Sequence, residues 1–302
     1  MTTSYPSTEH DWVGHFVRQE ALELVGAGRE VTLVTPRTAF CDAGVRAIDC
    51  GGRGALSPFG PPGAAARIRA FPPRAIGGAA WGVRAAGALR RGRWDRVIAH
   101  WAVPSALVAM AADAPLEIVS HGGDVRLLLA MPALARRALV RSIASRARSW
   151  RFVSDALLGS LVAELDHETC ARVRAIATVK APPIALPDVS GRAAHLREEL
   201  GAFDVSLGRL VATKRVDRAI DRAAARGEML VVVGDGPERA SLERRAARAR
   251  ANVRFLGDLP RDEALAYLAA ARSLLFASEA EGCSTVVREA RALGARVDLL
   301  SG

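Results

Sequence analysis

The chain has 302 residues, half of them apolar, which at about 150 residues per domain is enough for two ordinary cores. It carries 42 Lys+Arg against 32 Asp+Glu, a formal charge of +10, but its lysines are only Lys180 and Lys214, so much of the basicity reads as an arginine habit. This composition excludes a disordered chain, a collagen and a disulfide scaffold, and no apolar run approaches the roughly 18 residues of a membrane span.

In chain order, the opening MTTSYPSTEHDW lacks a basic segment followed by an apolar stretch, so no signal peptide is read there. Strands are expected at 30–35, 45–50, 95–100, 116–121 and 150–154. After a break they are expected at 204–210, 229–234, 253–257, 273–278 and 297–300. These runs are rich in Val, Ile and Leu without strict alternation, as strands buried on both faces should be. Ala/Arg/Leu/Glu stretches of helical spacing lie between most of them; Leu242, Ala246 and Ala249, for example, fall on one face. Strand–helix alternation predicts an α/β fold with parallel sheets. The break is KAPPIALP at 180–187, with three prolines in eight residues, an extended linker. It separates an expected domain at 1–180, through a linker at 181–190, from a second at 191–302.

Cys41, Cys50, Cys170 and Cys283 match no metal-binding or redox spacing and are expected as free thiols in a reducing compartment. The expected location is therefore cytoplasmic, with peripheral attachment to the inner face of the cytoplasmic membrane left open. Charge is uneven. Residues 1–180 hold 23 basic and 15 acidic groups, and residues 181–302 hold 19 and 17. Eight arginines and no acid lie between Asp49 and Asp95, and seven arginines and no acid from Arg126 to Arg151 inclusive. They read either as a solvated surface or as one that meets anionic lipid or a phosphorylated acceptor. No helix-turn-helix, zinc or RNA-binding signature accompanies them, so nucleic acid is not expected as a partner.

Several common chemistries are missing. There is no Walker A loop, no Asp-x-Asp metal motif and no G-x-S-x-G elbow. His10 and His15 beside Glu9 and Asp11 fit no rigid zinc spacing and read as loop. The second half is more specific. Gly234-Asp235-Gly236-Pro237 follows an apolar strand and opens a helix, as a dinucleotide fingerprint does, but Arg239 stands where the third glycine belongs. Upstream, Arg209 ends a strand and Lys214 follows on the same strand–helix loop, a diphosphate clamp at a carboxyl edge. Downstream, Glu281, Gly282, Cys283, Ser284 and Thr285 lead into a helix that carries Glu289. A helix N-terminus seats phosphate, and two acids there suit sugar hydroxyls.

In this order, Gly-Arg-Leu-Val…Lys, Gly-Asp-Gly-Pro, Phe255-Leu256-Gly257 and Glu281…Glu289 resemble glycosyltransferase family 4. Tyr5-Pro6-Ser7 through Gly14-His15-Phe16, Ala99-His100-Trp101-Ala102-Val103-Pro104 and His121-Gly122-Gly123-Asp124 resemble the same family's first half. The resemblance implies a GT-B fold of two facing Rossmann-like domains and metal-independent sugar transfer with retention. It implies a UDP- or GDP-sugar donor, a glycan or lipid-linked acceptor and no cofactor. It gives Arg209 and Lys214 the diphosphate and leaving-group charge, Glu281 with the amides of Gly282 to Thr285 the transferred sugar, and Glu289 the ribose. It gives Gly234, Gly236 and the Phe255, Leu256, Gly257 segment the base pocket, His121 the donor sugar from the first domain, and Gly14 close approach to the phosphates. Cys283 in that loop is expected to be a tolerated small residue. Relative to the family, the opening strand is nearly missing and the second domain is short, so an incomplete C-terminal domain is expected. The alternatives are a non-catalytic remnant that binds nucleotide sugar or a partner, a sugar-nucleotide epimerase of similar architecture and, third, a nicotinamide oxidoreductase.

Overall fold

A computed structural model describes residues 1–6, 8, 14–36, 40–52, 54–60, 63–182, 184, 186–278 and 284–300. The chain folds as two units, one built from Met1–Glu9 and Val13–Pro183, the other from Ile184–Gly302. The change of unit falls inside the proline-rich stretch.

In the first unit, β1 (Val31–Thr35) pairs in parallel with β2 (Val45–Asp49). A second parallel sheet runs in the order β3 (Val97–His100), β4 (Leu116–Ser120), β5 (Ala147–Phe152), β6 (Ala177–Val179). Residues 1 and 2 stitch the two sheets together. The Met1 nitrogen donates to the Ile98 carbonyl, His100 N donates to the Met1 carbonyl, and Thr2 N donates to the Val34 carbonyl. Trp81, Trp150 and Phe152 are its largest fully buried side chains.

The second unit is one parallel sheet of five strands, β7 (Asp204–Leu207), β8 (Leu230–Val233), β9 (Val253–Gly257), β10 (Ser273–Phe276) and β11 (Arg296–Leu299). Their order is β11-β10-β7-β8-β9. All four residues of β8 are buried. Val231 and Val233 pack with Phe203, Leu265 and Leu268 on one face, Leu230 and Val232 with Ile220 and Leu242 on the other. This is why the sequence runs apolar without alternation. The chain leaves β7 toward β8 and β9, then returns to place β10 on the other side of β7. The direction of winding therefore reverses between β7 and β10, and open α/β sheets bind ligands outside the strand ends at that point. Among the described residues, no helix is long and apolar enough to cross a membrane.

Three sequence expectations shift. β5 begins at Ala147 rather than 150 and ends at Phe152. β6 was not anticipated. Ala249 lies just past the helix Arg239–Arg248 and is exposed, so only Leu242 and Ala246 form its buried face.

Candidate functional site

At the carboxyl edge of β7 and β8 the backbone is laced tightly. Gly208 N donates to the Val233 carbonyl, Leu210 N to Asp235, Glu238 N to Leu210, and Gly234 N to Gly257. A Cβ on Gly234 would lie 2.1 Å from the Gly208 carbonyl oxygen, and one on Gly236 2.3 Å from that of Leu210. Both glycines are thus required first by loop–loop packing. Phe255 and Leu256 turn their side chains into the cores on opposite faces of the sheet, leaving the backbone around Gly257 as the part of that segment at the edge. Arg239, in the place of a third glycine, ion-pairs with Asp235 at 3.3 Å and Glu243 at 2.9 Å. Asp235 also accepts from Gly236 N at 2.7 Å. A dinucleotide diphosphate at this helix start would meet a carboxylate.

Arg209 and Lys214 lie half-buried on the loop that leaves β7. Lys214 Cε is 3.9 Å from where a Gly208 Cβ would stand, so the lysine stem folds back over the strand end. Ser278 Oγ, beyond β10, donates to the Thr213 carbonyl at 3.3 Å and ties that loop to the β7 loop at the winding reversal. The helix Thr285–Ala292 follows, opened by Ser284, whose buried hydroxyl has no partner among the described residues. Glu289 is buried two turns away, and its Oε1 accepts from Arg261 at 2.7 Å. The loop residues Glu281, Gly282 and Cys283 lie outside the described residues.

In the first unit, His121 follows β4. The nearby Asp124 is buried and accepts from Ser120 Oγ at 2.7 Å, Ala102 N at 2.8 Å, Gly122 N at 3.1 Å and His121 N at 3.2 Å. Trp150 Nε1 donates to the same serine. The aspartate of His-Gly-Gly-Asp therefore sets the backbone that presents His121. The His121 ring is packed against Phe16, Trp101 and His100. Its Nε2 lies 3.0 Å from Nδ1 of the buried His100. Burial lowers the pKa of His121 to about 3 and that of His100 well below the usual histidine range, with the Arg151 cation adding to both shifts. Gly14 begins the helix His15–Gly26 at φ 75°, and a Cβ there would stand 2.7 Å from the Ser4 carbonyl oxygen. Its own chain thus already requires glycine at that position.

The arginine runs divide. Arg136 is buried and donates to the Leu129 and Met131 carbonyls and to Glu164; Arg146 donates to the Ala112 and Ala114 carbonyls; Arg151 holds Glu20. These three are structural, so the solvated-surface reading fails for them. Arg69, Arg90 and Arg91 stay exposed, as do Phe71, Ile76 and Val83, whereas Arg84 donates from Nε to the Cys50 carbonyl at 2.6 Å. Sequence reasoning missed His100 and Arg151 as neighbours of His121, Glu20 as the partner of Arg151, and Arg261 as the partner of Glu289. Of these only His100 stood in a recognised motif.

Residues 192–297 match the family model described as glycosyl transferases group 1. No curated protein matches the chain. Among solved structures, Alr3699/HepE from Anabaena in complex with UDP is similar at 16 % identity and TM-score 0.64, covering 98 % of this chain and 78 % of that one. WaaG, a glycosyltransferase involved in lipopolysaccharide biosynthesis, matches at 16 % and TM-score 0.65, covering 99 % and 79 %. Sucrose-phosphate synthase from Thermosynechococcus elongatus matches at 18 % and TM-score 0.63, covering 94 % and 74 %. At such identities the likeness is one of fold, the α/β GT-B architecture with parallel sheets.

Proposed function

We propose that the protein moves a sugar from a nucleotide-diphosphate sugar to a hydroxyl of a glycan or lipid-linked acceptor. One observation carries this reading: the family match at 192–297 falls on the loops gathered where the second sheet reverses its winding. Arg209 and Lys214 hold the diphosphate and stabilise charge on the departing phosphate. Glu281 and the amides from Gly282 to Thr285 hold the transferred sugar. Glu289 takes the ribose hydroxyls, and the Gly234–Gly236 and Gly257 backbone borders the base. His121 meets the donor sugar from the first unit, which carries the acceptor side. Transfer proceeds with retention by same-face attack, a donor phosphate oxygen helping to take the acceptor proton, and needs no metal or cofactor. UDP is the first base to test, because Alr3699/HepE has been solved with UDP-glucose; GDP is the second. The ion pair of Asp235 with Arg239 at the helix start argues against a nicotinamide dinucleotide.

The exposed Arg69, Arg90 and Arg91, together with the exposed Phe71, Ile76 and Val83, suit attachment to the inner face of the cytoplasmic membrane.

The experiment is a thermal shift of the full chain with UDP, GDP and NAD, beside the Arg209→Ala/Lys214→Ala variant. A ligand at 100 times its Kd adds about 2.7 kcal/mol of stability. Stabilisation by UDP or GDP that disappears in the variant is the expected result. A folded protein that responds to neither nucleotide sinks the transferase reading and favours a non-catalytic remnant.

A further inference from the structure

Among the described residues of the second unit two carboxylates are buried, Asp204 and Glu289, and they are satisfied differently. Asp204 opens β7 at the amino edge of the sheet. Its Oδ1 accepts from Arg272 Nε at 3.1 Å and Ser273 Oγ at 2.9 Å, and its Oδ2 from Arg272 Nη2 at 2.9 Å. Glu289 belongs to the helix Thr285–Ala292, which starts from the carboxyl edge, and Arg261 Nη2 donates to its Oε1 at 2.7 Å. Its Oε2 accepts from no described residue. Buried polar groups are hydrogen-bonded, so a half-occupied carboxylate beside the ligand edge of a sheet is an acceptor held for a ligand's donor.

Arg261 stands where local preference opposes it. It is the first residue of the helix Arg261–Ala270, and a cation there meets the positive end of the helix dipole. The acidic Asp262 and Glu263 that follow are what the dipole favours. No local rule asks for an arginine at this position, but the contact with Glu289, 28 residues away, does. Arg261 follows closely on Gly257, so the ion pair ties the loop after β9 to the helix after β10. Both elements lie inside the family match at 192–297. Engaging Oε1 fixes the Glu289 rotamer and leaves Oε2 as the acceptor.

We propose that Arg261 is a positioning residue that holds Glu289 through Oε1 so that Oε2 accepts from a ribose hydroxyl, making the preference for ribose over a deoxygenated sugar depend on both residues. A ribose hydroxyl supplies the donor that Oε2 lacks. A sugar without hydroxyls leaves that oxygen covered and unpaired. The proposal rests on the glycosyl-transfer reading, which gives Glu289 the ribose; the role of Arg261 goes beyond it.

The test is calorimetry on the full chain with UDP and GDP, each beside its 2′,3′-dideoxy analogue. The wild type is expected to favour the ribonucleotide by at least about tenfold, the size of one hydrogen bond to a charged group. Arg261→Met keeps the stem and removes the guanidinium; it should bring the ratio to within about threefold and leave the affinity for pyrophosphate unchanged. Arg261→Lys should restore part of the ratio. In a Glu289→Gln background, Arg261→Met should change the ratio no further, because the two residues act as one unit. An arginine that only braces the fold would weaken both nucleotides together and keep their ratio, and that result in a folded Arg261→Met overturns the proposal. A crystal structure of the wild type with the bound nucleotide tests it without any variant. Arg261 should stay on Oε1 and a ribose hydroxyl should lie within about 3 Å of Oε2. A ribose elsewhere, or Arg261 drawn off Glu289, overturns the proposal. If a ribonucleotide binds and its preference ignores Arg261, the positioning role fails and the glycosyl-transfer reading stands. If neither nucleotide binds the wild type, the reading fails and the positioning role falls with it.

Discussion

His121 and His100 combine burial, mutual contact and a nearby cation, and all three disfavour the protonated ring. In the unfolded chain each titrates near 6.5. The unfolded state therefore binds more protons than the folded state below that value, and stability falls as the pH is lowered from 6.5 toward 3. With a folded value of about 3, His121 alone removes about 2 kcal/mol between pH 7 and pH 5. The carboxylates with lowered values, Asp42, Asp166, Asp188 and Asp217, act in the same direction, because the unfolded carboxylates also bind protons first, but mainly below about pH 5, since ordinary aspartates titrate near 3.9. Urea unfolding at pH 7 and pH 5 should show this loss, and the His100→Gln/His121→Gln double variant should lose less over the same interval, its remaining slope coming from the Met1 amine, which burial lowers to about 5. A wild type equally stable at both values would mean that the rings are not held neutral. The motif His-Gly-Gly-Asp marked His121 in the sequence. Its neighbours were not legible, because Glu20 and Arg151 are 131 residues apart and meet only through the packing of a helix on a parallel sheet.

At the scale of elements, the sequence was readable wherever punctuation was present. β8 and the turn Gly234–Pro237 follow from an apolar run ended by glycine. The misses share one cause. The helix Ala133–Arg146 runs straight into β5 at Ala147, and the helix His167–Ile176 straight into β6 at Ala177, with no Gly, Pro or polar turn between. An Ala/Arg run gives no local signal for such a change of period. The glycines separate by the same physics. Gly159 sits inside the helix Asp155–Val162 with nothing within 4 Å of its missing Cβ, so Gly159→Ala should stabilise by about 0.5–1 kcal/mol, the helix-propensity gain. Gly234 stands at φ 123° against the Gly208 carbonyl, so Gly234→Ala should cost at least about 2 kcal/mol from the backbone conformation and the clash together. Chemical denaturation of the two variants against the wild type checks both signs. A tolerated Gly234→Ala would show that the β7 and β8 loops are not packed backbone to backbone.

For the molecule as a whole, the charge asymmetry becomes informative only after the arginines bonded within the first unit are set aside. Arg136, Arg146 and Arg151 are committed to carbonyls or to Glu20 and contribute little to an outer surface. On the helix Arg74–Arg91, Trp81, Ala85 and Leu89 face inward, while Ile76 and Val83, seven residues apart and 65 % and 74 % exposed, share the outer face. Apolar side chains flanked by exposed arginines are the composition of a surface that settles on anionic lipid, where each cation near the membrane contributes about 1 kcal/mol. The full chain should therefore co-sediment with phosphatidylglycerol vesicles at low ionic strength and be released as salt shortens the screening length to about 3 Å at 1 M. Arg69→Gln/Arg90→Gln should weaken binding and flatten its salt dependence. Ile76→Ser/Val83→Ser should weaken it with the salt dependence unchanged, because it removes buried apolar area and no charge. Equal sedimentation with neutral phosphatidylcholine vesicles, or none with either lipid, would leave these arginines as a solvated face and would move the acceptor away from the membrane surface.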